Sequence, residues 1–209
     1  MSTLLKTSII NKINAINWSQ DSGTDNSDKS FEAIIDGIYE YMNTASNRTF
    51  TGTFTGLQAT TPSPTPVTGT STHTLHITNT TWLSTFKNIV RNGIATNGIQ
   101  RMFQGIQTML AGTVLADITS ITSVPPGLVT LPPLGTPLVP VTFPAMLSFG
   151  TPCQLEIIGS KTANKEDAWG IMSKYIQQGL NVNVVPPMPT SGAITFPVTG
   201  LTTAFLVFN

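Results

Sequence analysis

The chain has 209 residues with ten basic and ten acidic side chains, so its formal net charge is +0, and charged residues make up only 10% of it. An average soluble domain has roughly 25%, and a chain with so few charges is expected to associate with other molecules near neutral pH. The zero net charge and the lack of a Lys/Arg cluster argue against a nucleic-acid groove. The single cysteine, Cys153, excludes a disulfide framework.

The first part of the chain has the pattern of two helices. Apolar residues recur at helical spacing over residues 3–16, and the polar run 19–29 separates them from a second helical pattern over residues 30–42. The two lysines and the spaced polar residues of the first helix are unlike a secretory signal. We expect a docked terminal helix followed by a second amphipathic helix.

A strand and a proline-rich stretch follow these helices. Residues 49–55 alternate Thr with Phe or Gly, which predicts a strand with Phe50 and Phe54 on one face. The prolines that come next are spaced by two and favour polyproline-like extension. We therefore predict an N-terminal helical segment with a strand over residues 1–57 and an exposed Pro/Thr-rich linker over residues 58–72.

The main region, residues 73–209, is predicted to be α+β with an extended arm over residues 122–152, and a single integrated domain is left open. The strand pattern at its start, in residues 72–78, places three side chains on one face: His73, Leu75 and Ile77. Helical periodicity then extends over residues 81–116, with Gly93 and Gly98 inside it. Because a glycine costs about 1 kcal/mol in a helix interior, we expect two helices or a bent one.

Residues 122–152 are apolar but carry a proline every few positions. Such a stretch is neither a central strand nor a membrane-spanning helix, because proline lacks an amide donor and its ring clashes with the preceding helical turn. It is also too apolar for a solvated linker. We predict an extended arm here that lies on another surface, and no membrane span.

A strand and a capped helix are predicted after the arm. Residues 154–158 read as a short strand. Asn164 is expected to cap the last helix, and Gly179 is expected to end it. A helix followed by a Thr/Gly-rich strand also occurs near the start of the chain, which leaves an internal duplication open.

The C-terminal end is predicted to form strands around a Ser191-Gly192 turn. Residues 204–208 are all apolar, and we expect them to be covered, since five apolar residues at an exposed chain end would promote aggregation. The whole pattern predicts an α+β fold of several short amphipathic helices, short antiparallel strands and long Pro/Thr/Gly-rich extended arms.

Candidate metal ligands are few. His73 and His76 lie three positions apart in a predicted strand, so they point to opposite faces and cannot hold one metal together. The polar run has the outline of an EF-hand loop, whose ligand positions would be Asp21, Asp25, Ser27 and Glu32. Three departures from that pattern favour a polar loop between helices instead: Gly23, Asn26 and Lys29.

Candidate catalytic groups are equally weak. Cys153 follows Pro152 in an apolar segment, where burial raises the pKa of a thiol. Residues 159–162 lack the glycine spacing of a phosphate-binding loop. The adjacent Glu166 and Asp167 diverge on a helix and suit its first turn. We predict no enzyme activity, no catalytic, cofactor-binding or metal site, and no cofactor.

The chain has few charges, abundant Thr and an apolar terminus. It also has predicted arms with Pro-Pro-Gly at 125–127 and Pro-Pro-Leu-Gly at 132–135. In this style it resembles small virion structural proteins of tailed bacteriophages, which are neck, tail or head accessory components. The resemblance implies a subunit, assembled into the virion in the host cytoplasm, that packs with copies of itself and with other virion proteins, most readily in the neck or tail. Residues 58–72 and 122–152 would then reach onto neighbours.

Other functions are open. A capsid decoration protein, or a β-rich receptor- or surface-binding module, would use Thr/Asn-rich loops and exposed Trp18, Trp82 or Trp169. A hydrolase with an unrecognised site is disfavoured by the scarcity of His and acidic residues.

Overall fold

A computed structural model describes residues 3–17, 23–59, 63–93, 97–124, 138–160, 165–193 and 197–208. The helices in these ranges are α1 Thr3–Asn14, α2 Gly23–Met42, α3 Ala45–Arg48, α4 Trp82–Asn92, α5 Gly98–Leu110, a 3-10 helix Met146–Phe149, α6 Gly150–Gly159 and α7 Lys165–Asn181. The strands are β1 Thr49–Gln58, β2 Thr65–Ile77, β3 Val114–Val124, β4 Val139–Pro140, β5 Met188–Ala193 and β6 Pro197–Ala204. The predicted α+β class is confirmed.

The strands form one six-stranded sheet in the order β4-β3-β2-β1-β6-β5, and every neighbouring pair is antiparallel. β1 and β2 pair along their length, from Thr49 opposite Thr74 to Gln58 opposite Thr65. β6, near the C-terminus, pairs with the other edge of β1. Strands from both ends of the chain therefore lie side by side at the centre of the sheet.

One face of the sheet packs against the helices. The inward side chains of β1 to β3, such as Phe54, Leu75 and Ile118, belong to one hydrophobic core with buried residues of the helices. Alternate residues of the same strands are exposed, so the helices lie on one face only among the described elements. The structure confirms the predicted placement of Phe50 and Phe54 on one buried face.

Two of the predicted helical regions are confirmed. In α1 the apolar stripe is buried through Leu5, Ile9 and Ile13. The helical region at 81–116 divides into α4 and α5 as expected, with Gly93 at the end of α4.

The linker predicted at 58–72 is wrong for residues 65–72, which form the first part of β2. β2 pairs with β1 on one side and, from Thr68 onward, with β3 on the other. Pro66 is tolerated because it is the second residue of the strand and precedes the pairing with β3. Residues 60–62 lie outside the described ranges.

The arm predicted at 122–152 is wrong wherever it is described. Residues 122–124 end β3. After residue 138 the chain folds onto itself: the Val141 N–H donates to the Val114 carbonyl at 2.9 Å, and Phe143 and Met146 are buried in the core. This apolar stretch therefore covers its own chain, while residues 125–137 lie outside the described ranges.

Two elements near the start and middle of the chain are longer or shorter than predicted. α2 begins at Gly23 rather than at residue 30. Its polar first turns reach α4, where Lys87 Nζ donates to Asp28 Oδ2 at 2.6 Å. The predicted helix over residues 81–116 ends early, because Val114 already belongs to β3.

Three further predictions near the C-terminus are wrong. Residues 154–158 are helical within α6 rather than a strand, and Ser191-Gly192 lies within β5 rather than in a turn. Gly179 does not end α7, which continues to Asn181. A Cβ at Gly179 would lie 2.6 Å from Met146 Sδ, so this glycine permits close packing. The predicted cap, Asn164, lies outside the described residues.

No helix in the described parts of the chain is long and apolar enough to cross a membrane.

Candidate interaction face

The strands are almost without charge. Asp117 in β3 is the only charged residue of the six strands, and its Oδ2 lies 2.9 Å from His76 Nε2. The helices carry most of the remaining charges. Because charged side chains keep a surface solvated, the uncovered face of this sheet has little to oppose contact with another molecule.

Threonines fill the middle of this outer face. Along the β1–β2 pair, four successive cross-strand positions are Thr opposite Thr: Thr49 with Thr74, Thr51 with Thr72, Thr53 with Thr70, and Thr55 with Thr68. Thr53 Oγ1 also lies 2.9 Å from Thr203 Oγ1 of β6. β-Branched cross-strand pairs stabilise a sheet, so the high Thr content is concentrated where it forms a flat hydroxyl- and methyl-covered surface.

Exposed large apolar side chains lie on β1, on β6 and in the segment that follows β6. We define the apolar strip as Leu57, Leu201, Phe205 and Val207, which are 51%, 49%, 84% and 56% exposed. The alternating residues Thr202, Ala204, Leu206 and Phe208 are buried. The segment is extended, so its side chains alternate between buried and exposed with a two-residue period. The expectation that residues 204–208 are covered is therefore confirmed for Ala204, Leu206 and Phe208. It is wrong for Phe205 and Val207.

Side-chain amides of α7 and the residues after it hold this segment in place. Asn183 Nδ2 donates to the Leu206 carbonyl at 2.7 Å, and the Phe208 N–H donates to Asn181 Oδ1 at 2.8 Å. Gln177 Nε2 donates to the Phe208 carbonyl at 3.2 Å. These bonds occupy main-chain groups that a neighbouring strand would otherwise pair, so Phe205 and Val207 are presented outward by a fixed backbone.

A second exposed apolar surface lies on the helical layer. We define the α6 ridge as Leu147, Leu155 and Ile158, which are 44%, 65% and 62% exposed. Cys153 on the opposite side of α6 is fully buried. A helix that is apolar on both sides is usually buried on both sides, so the ridge is a helix surface without a partner in the described chain.

The two histidines lie on opposite faces of β2, as predicted. His73 is buried, where its Nε2 lies 2.7 Å from Ser71 Oγ and its ring stacks on Phe50 at 5.0 Å. Burial lowers the pKa of His73, and the backbone and charge of Asp117 oppose this to a smaller extent. His73 thus acts as a core residue.

Most of the EF-hand outline is helical. Residues 23–32 belong to α2, while Asp21 and the side chain of Asp25 lie outside the described part of the chain. Ser27 and Glu32 therefore lie on a helix, which cannot wrap a cation as the EF-hand loop does. No group of three or more His, Cys, Asp and Glu side chains that could hold a metal occurs in the described parts.

Cys153 lies beside a polar cluster that joins α6 to α7. Lys174 Nζ donates to both Glu156 oxygens at 2.8 and 2.6 Å, and Tyr175 Oη donates to Glu156 Oε2 at 2.7 Å. These bonds lower the pKa of Glu156 and raise the pKa of Tyr175 to about 12. Burial raises the pKa of Cys153 to about 12. Neither Cys153 nor Tyr175 is ionised near neutral pH, so the cluster suits structure better than nucleophilic chemistry.

The remaining candidate residues are dispersed. Glu166 and Asp167 are exposed in the first turn of α7, which suits the helix dipole. Of residues 159–162, Gly159 ends α6 and Ser160 follows it, while the other two lie outside the described ranges.

The tryptophans offer no exposed aromatic cluster in the described ranges. Trp82 is buried, and its Nε1 donates to Thr113 Oγ1 at 2.8 Å. Trp169 is partly buried against the core, and Trp18 lies outside the described residues.

No protein-family model matches the chain, and no curated protein or solved structure matches it either.

Proposed function

We propose that this chain is a non-enzymatic structural subunit of a tailed-bacteriophage virion, placed in the neck or tail, that packs with copies of itself and with neighbouring virion proteins. The observation that carries the proposal is the outer face of the sheet, on which Asp117 is the one charged side chain of the described strands and lies against His76, together with the apolar strip. Exposed apolar side chains with little surrounding charge are typical of protein–protein contacts. The virion context rests on the resemblance in composition.

The size of the face suits an interface. β1 has ten residues, which at about 3.4 Å each gives a length of roughly 34 Å. The four longer strands β3, β2, β1 and β6 span roughly 19 Å at about 4.8 Å per strand. The resulting area of roughly 650 Å² per copy is close to the ~800 Å² that each partner contributes to a stable interface.

This proposal moves the assembly surface from arms to the sheet. Residues 65–72 and 138–152, which the arm hypothesis placed on neighbours, lie in or against the sheet and helices of their own chain. Residues 65–72 contribute Thr68, Thr70 and Thr72 to the outer face as part of β2, so the predicted contacts are made by a sheet surface rather than by an extended arm.

The proposal is tested by the mass of the protein in solution over a hundredfold range of concentration, measured by sedimentation. We expect the wild type to form oligomers and the Phe205→Asp variant to remain monomeric, because a charge in the strip would be buried without a partner. The matched control is Leu4→Asp, which places the same charge at a 57% exposed leucine of α1 and should assemble normally.

A wild type that stays monomeric throughout, or a Phe205→Asp variant that assembles as well as Leu4→Asp, contradicts assembly through this face. The virion context has its own test, which is detection of the chain by mass spectrometry in purified particles. Its absence from particles contradicts the phage assignment even if the protein forms oligomers.

A second function is a capsid decoration protein or a receptor- or surface-binding module. It is favoured by the Thr hydroxyls of the outer face, which can donate hydrogen bonds to a polar ligand and accept them from it. In that case the wild type stays monomeric, and substitution of Thr53 or Thr70 weakens attachment to the capsid or receptor.

A further inference from the structure

The same tripeptide occurs twice in the chain, once at each end of the connection between α4 and α5. Asn-Gly-Ile is found at residues 92–94 and again at residues 97–99. Asparagine is a thermolabile residue, and a following glycine has no side chain to keep its main-chain nitrogen away from the asparagine amide. The sequence therefore gives both asparagines the same chemistry, and only the structure distinguishes them.

The first asparagine lies in a closed helical turn. Asn92 is the last residue of α4, and the N–H of the next residue, Gly93, donates to the Ile89 carbonyl at 2.7 Å. Asn92 Nδ2 also donates to Asn88 Oδ1 at 3.1 Å. A Cβ at Gly93 would collide with the Ile89 carbonyl oxygen, so the main chain is closely packed here. The Gly93 nitrogen is thus bonded and held in place by α4.

The second asparagine precedes its helix. Asn97 is the N-cap of α5 and has an extended main chain, with φ −130° and ψ 158°. The next residue, Gly98, supplies one of the first N–H groups of α5, which have no main-chain acceptor within the helix. A Cβ at Gly98 would meet nothing within 4 Å. The Gly98 nitrogen is therefore neither bonded to a carbonyl of α5 nor crowded by other elements.

The start of α5 also stabilises the charge that an attack on the Asn97 side chain develops. Asn97 Oδ1 accepts a hydrogen bond from the Gln100 N–H at 2.8 Å. Attack on Cγ places negative charge on this oxygen, and a main-chain N–H that already points at it lowers the energy of that charge. The helix dipole acts in the same direction, and the first turn of α5 has no acidic side chain to oppose it.

We propose that Asn97 is a site of deamidation and that the helical turn protects Asn92. The Gly98 nitrogen loses its proton to solvent and bonds to Asn97 Cγ, the bond from Cγ to the side-chain nitrogen breaks, and ammonia leaves with a proton taken from solvent. Water then opens the resulting succinimide at either carbonyl and leaves aspartate or isoaspartate. Aspartate still caps α5, whereas isoaspartate lengthens the main chain. The reaction adds a negative charge to the helical layer and not to the outer face of the sheet.

The test is mass spectrometry of the folded, full-length protein, kept at mildly alkaline pH and sampled over several weeks. Trypsin cleavage after Arg91 and Arg101 releases one peptide, residues 92–101, that carries both asparagines, so each sample contains its own reference. We expect Asn97 to react at least about tenfold faster than Asn92, which corresponds to a difference of ~1.4 kcal/mol in activation free energy. In urea the two should react at equal rates, because their local sequences match.

The matched variant is Gly98→Ala, whose added methyl group has open space in the fold. The methyl group hinders attack by the adjacent nitrogen, so the reaction at Asn97 should slow while that at Asn92 stays the same. Three results in the folded wild type overturn the proposal: equal rates at the two asparagines, a faster reaction at Asn92, or an intact Asn97 over a time in which the chain in urea reacts. An unchanged rate at Asn97 in Gly98→Ala also contradicts it, since the Gly98 nitrogen would then not be the attacking group.

Discussion

The amide side chains that hold the C-terminal segment allow a stability prediction. Replacing Asn181 and Asn183 together by alanine removes the bonds at 2.8 Å to the Phe208 N–H and at 2.7 Å to the Leu206 carbonyl, and with them the longer bonds at 3.4 Å to the Phe208 carbonyl and at 3.1 Å to the Leu180 carbonyl. At a net contribution of about 0.5–1.5 kcal/mol per hydrogen bond, the two shorter bonds alone predict that the double variant loses roughly 1–3 kcal/mol of its free energy of unfolding. The loss should be measured by urea denaturation of the protein at a concentration where the wild type is monomeric.

The same variant should assemble less well than its stability loss explains, because Phe205 and Val207 are no longer presented by a fixed backbone. The control is Asn92→Ala, an exposed asparagine of α4 bonded to Asn88 at 3.1 Å, which we expect to change stability by less than about 0.5 kcal/mol. A double variant as stable as Asn92→Ala would refute the reasoning, since it would mean that the segment is held by Leu206 and Phe208 burial alone.

Three further predictions concern the core. Burial lowers the pKa of His73, so the unfolded chain binds a proton at this residue more readily than the folded one. The His73 contribution to the free energy of unfolding should therefore be fully present above about pH 6.5. Below that pH the free energy of unfolding should fall by up to ~1.4 kcal/mol per pH unit. Urea denaturation of wild type and His73→Gln between neutral and acid pH checks this, and equal slopes would contradict it. Gly200→Ala should lower the free energy of unfolding by about 1–3 kcal/mol, because its Cβ would collide with the backbone carbonyl oxygen of Thr55 and lie 2.6 Å from Phe54 Cε2. The control is Gly98→Ala, where a Cβ meets nothing within 4 Å, and equal melting temperatures of the two variants would argue against close packing at Gly200. Cys153 is buried, and its pKa is raised to about 12. It should therefore react with a thiol reagent only at the rate at which the protein unfolds. Fast labelling of the native protein would show that the thiol is accessible.

Long periodic segments could be read from the sequence, and short ones could not. The apolar stripe of α1 and the alternation around Phe50 and Phe54 repeat often enough to define a period. The five residues 154–158 do not, since a short apolar run fits a strand and a helix equally well. In the fold this run is helical within α6, which packs on α5, α7 and the 3-10 helix, with Glu156 bonded to Lys174.

β3 shows how an irregularity hides a strand. Val114, Ala116 and Ile118 alternate inward, but the pairing register shifts beside Thr72 and His73, and the next buried residue is Ile121. One extra residue in a strand reverses the phase of the alternation, so the pattern could not be followed from the sequence alone.

The candidate face could be predicted only in part. The scarcity of charge and the apolar end of the chain are visible in the sequence and led to the prediction of assembly. Which of residues 204–208 face outward depends on the pairing of β6 with β1 up to Ala204 and, beyond it, on the amide bonds from Asn181 and Asn183. The α6 ridge depends on α6 being a helix. Neither arrangement follows from composition. The predicted linker at 58–72 is wrong over residues 65–72 because a sheet accepts a proline near the start of a strand, as it does Pro66 of β2.

The most direct test of the central claim is the labelling rate of a single cysteine placed in the strip. Thr203→Cys puts a thiol between Leu201 and Phe205, and the buried Cys153 adds no background in the native protein. Ser84→Cys, exposed on α4, is the matched control on the helical layer. We predict that maleimide labelling of Thr203→Cys slows at least about tenfold from dilute to concentrated protein. A tenfold protection corresponds to a contact of ~1.4 kcal/mol or more. Ser84→Cys should be labelled at the same rate at both concentrations. Equal labelling of Thr203→Cys in dilute and concentrated protein would contradict the claim that the outer face of the sheet is an assembly surface.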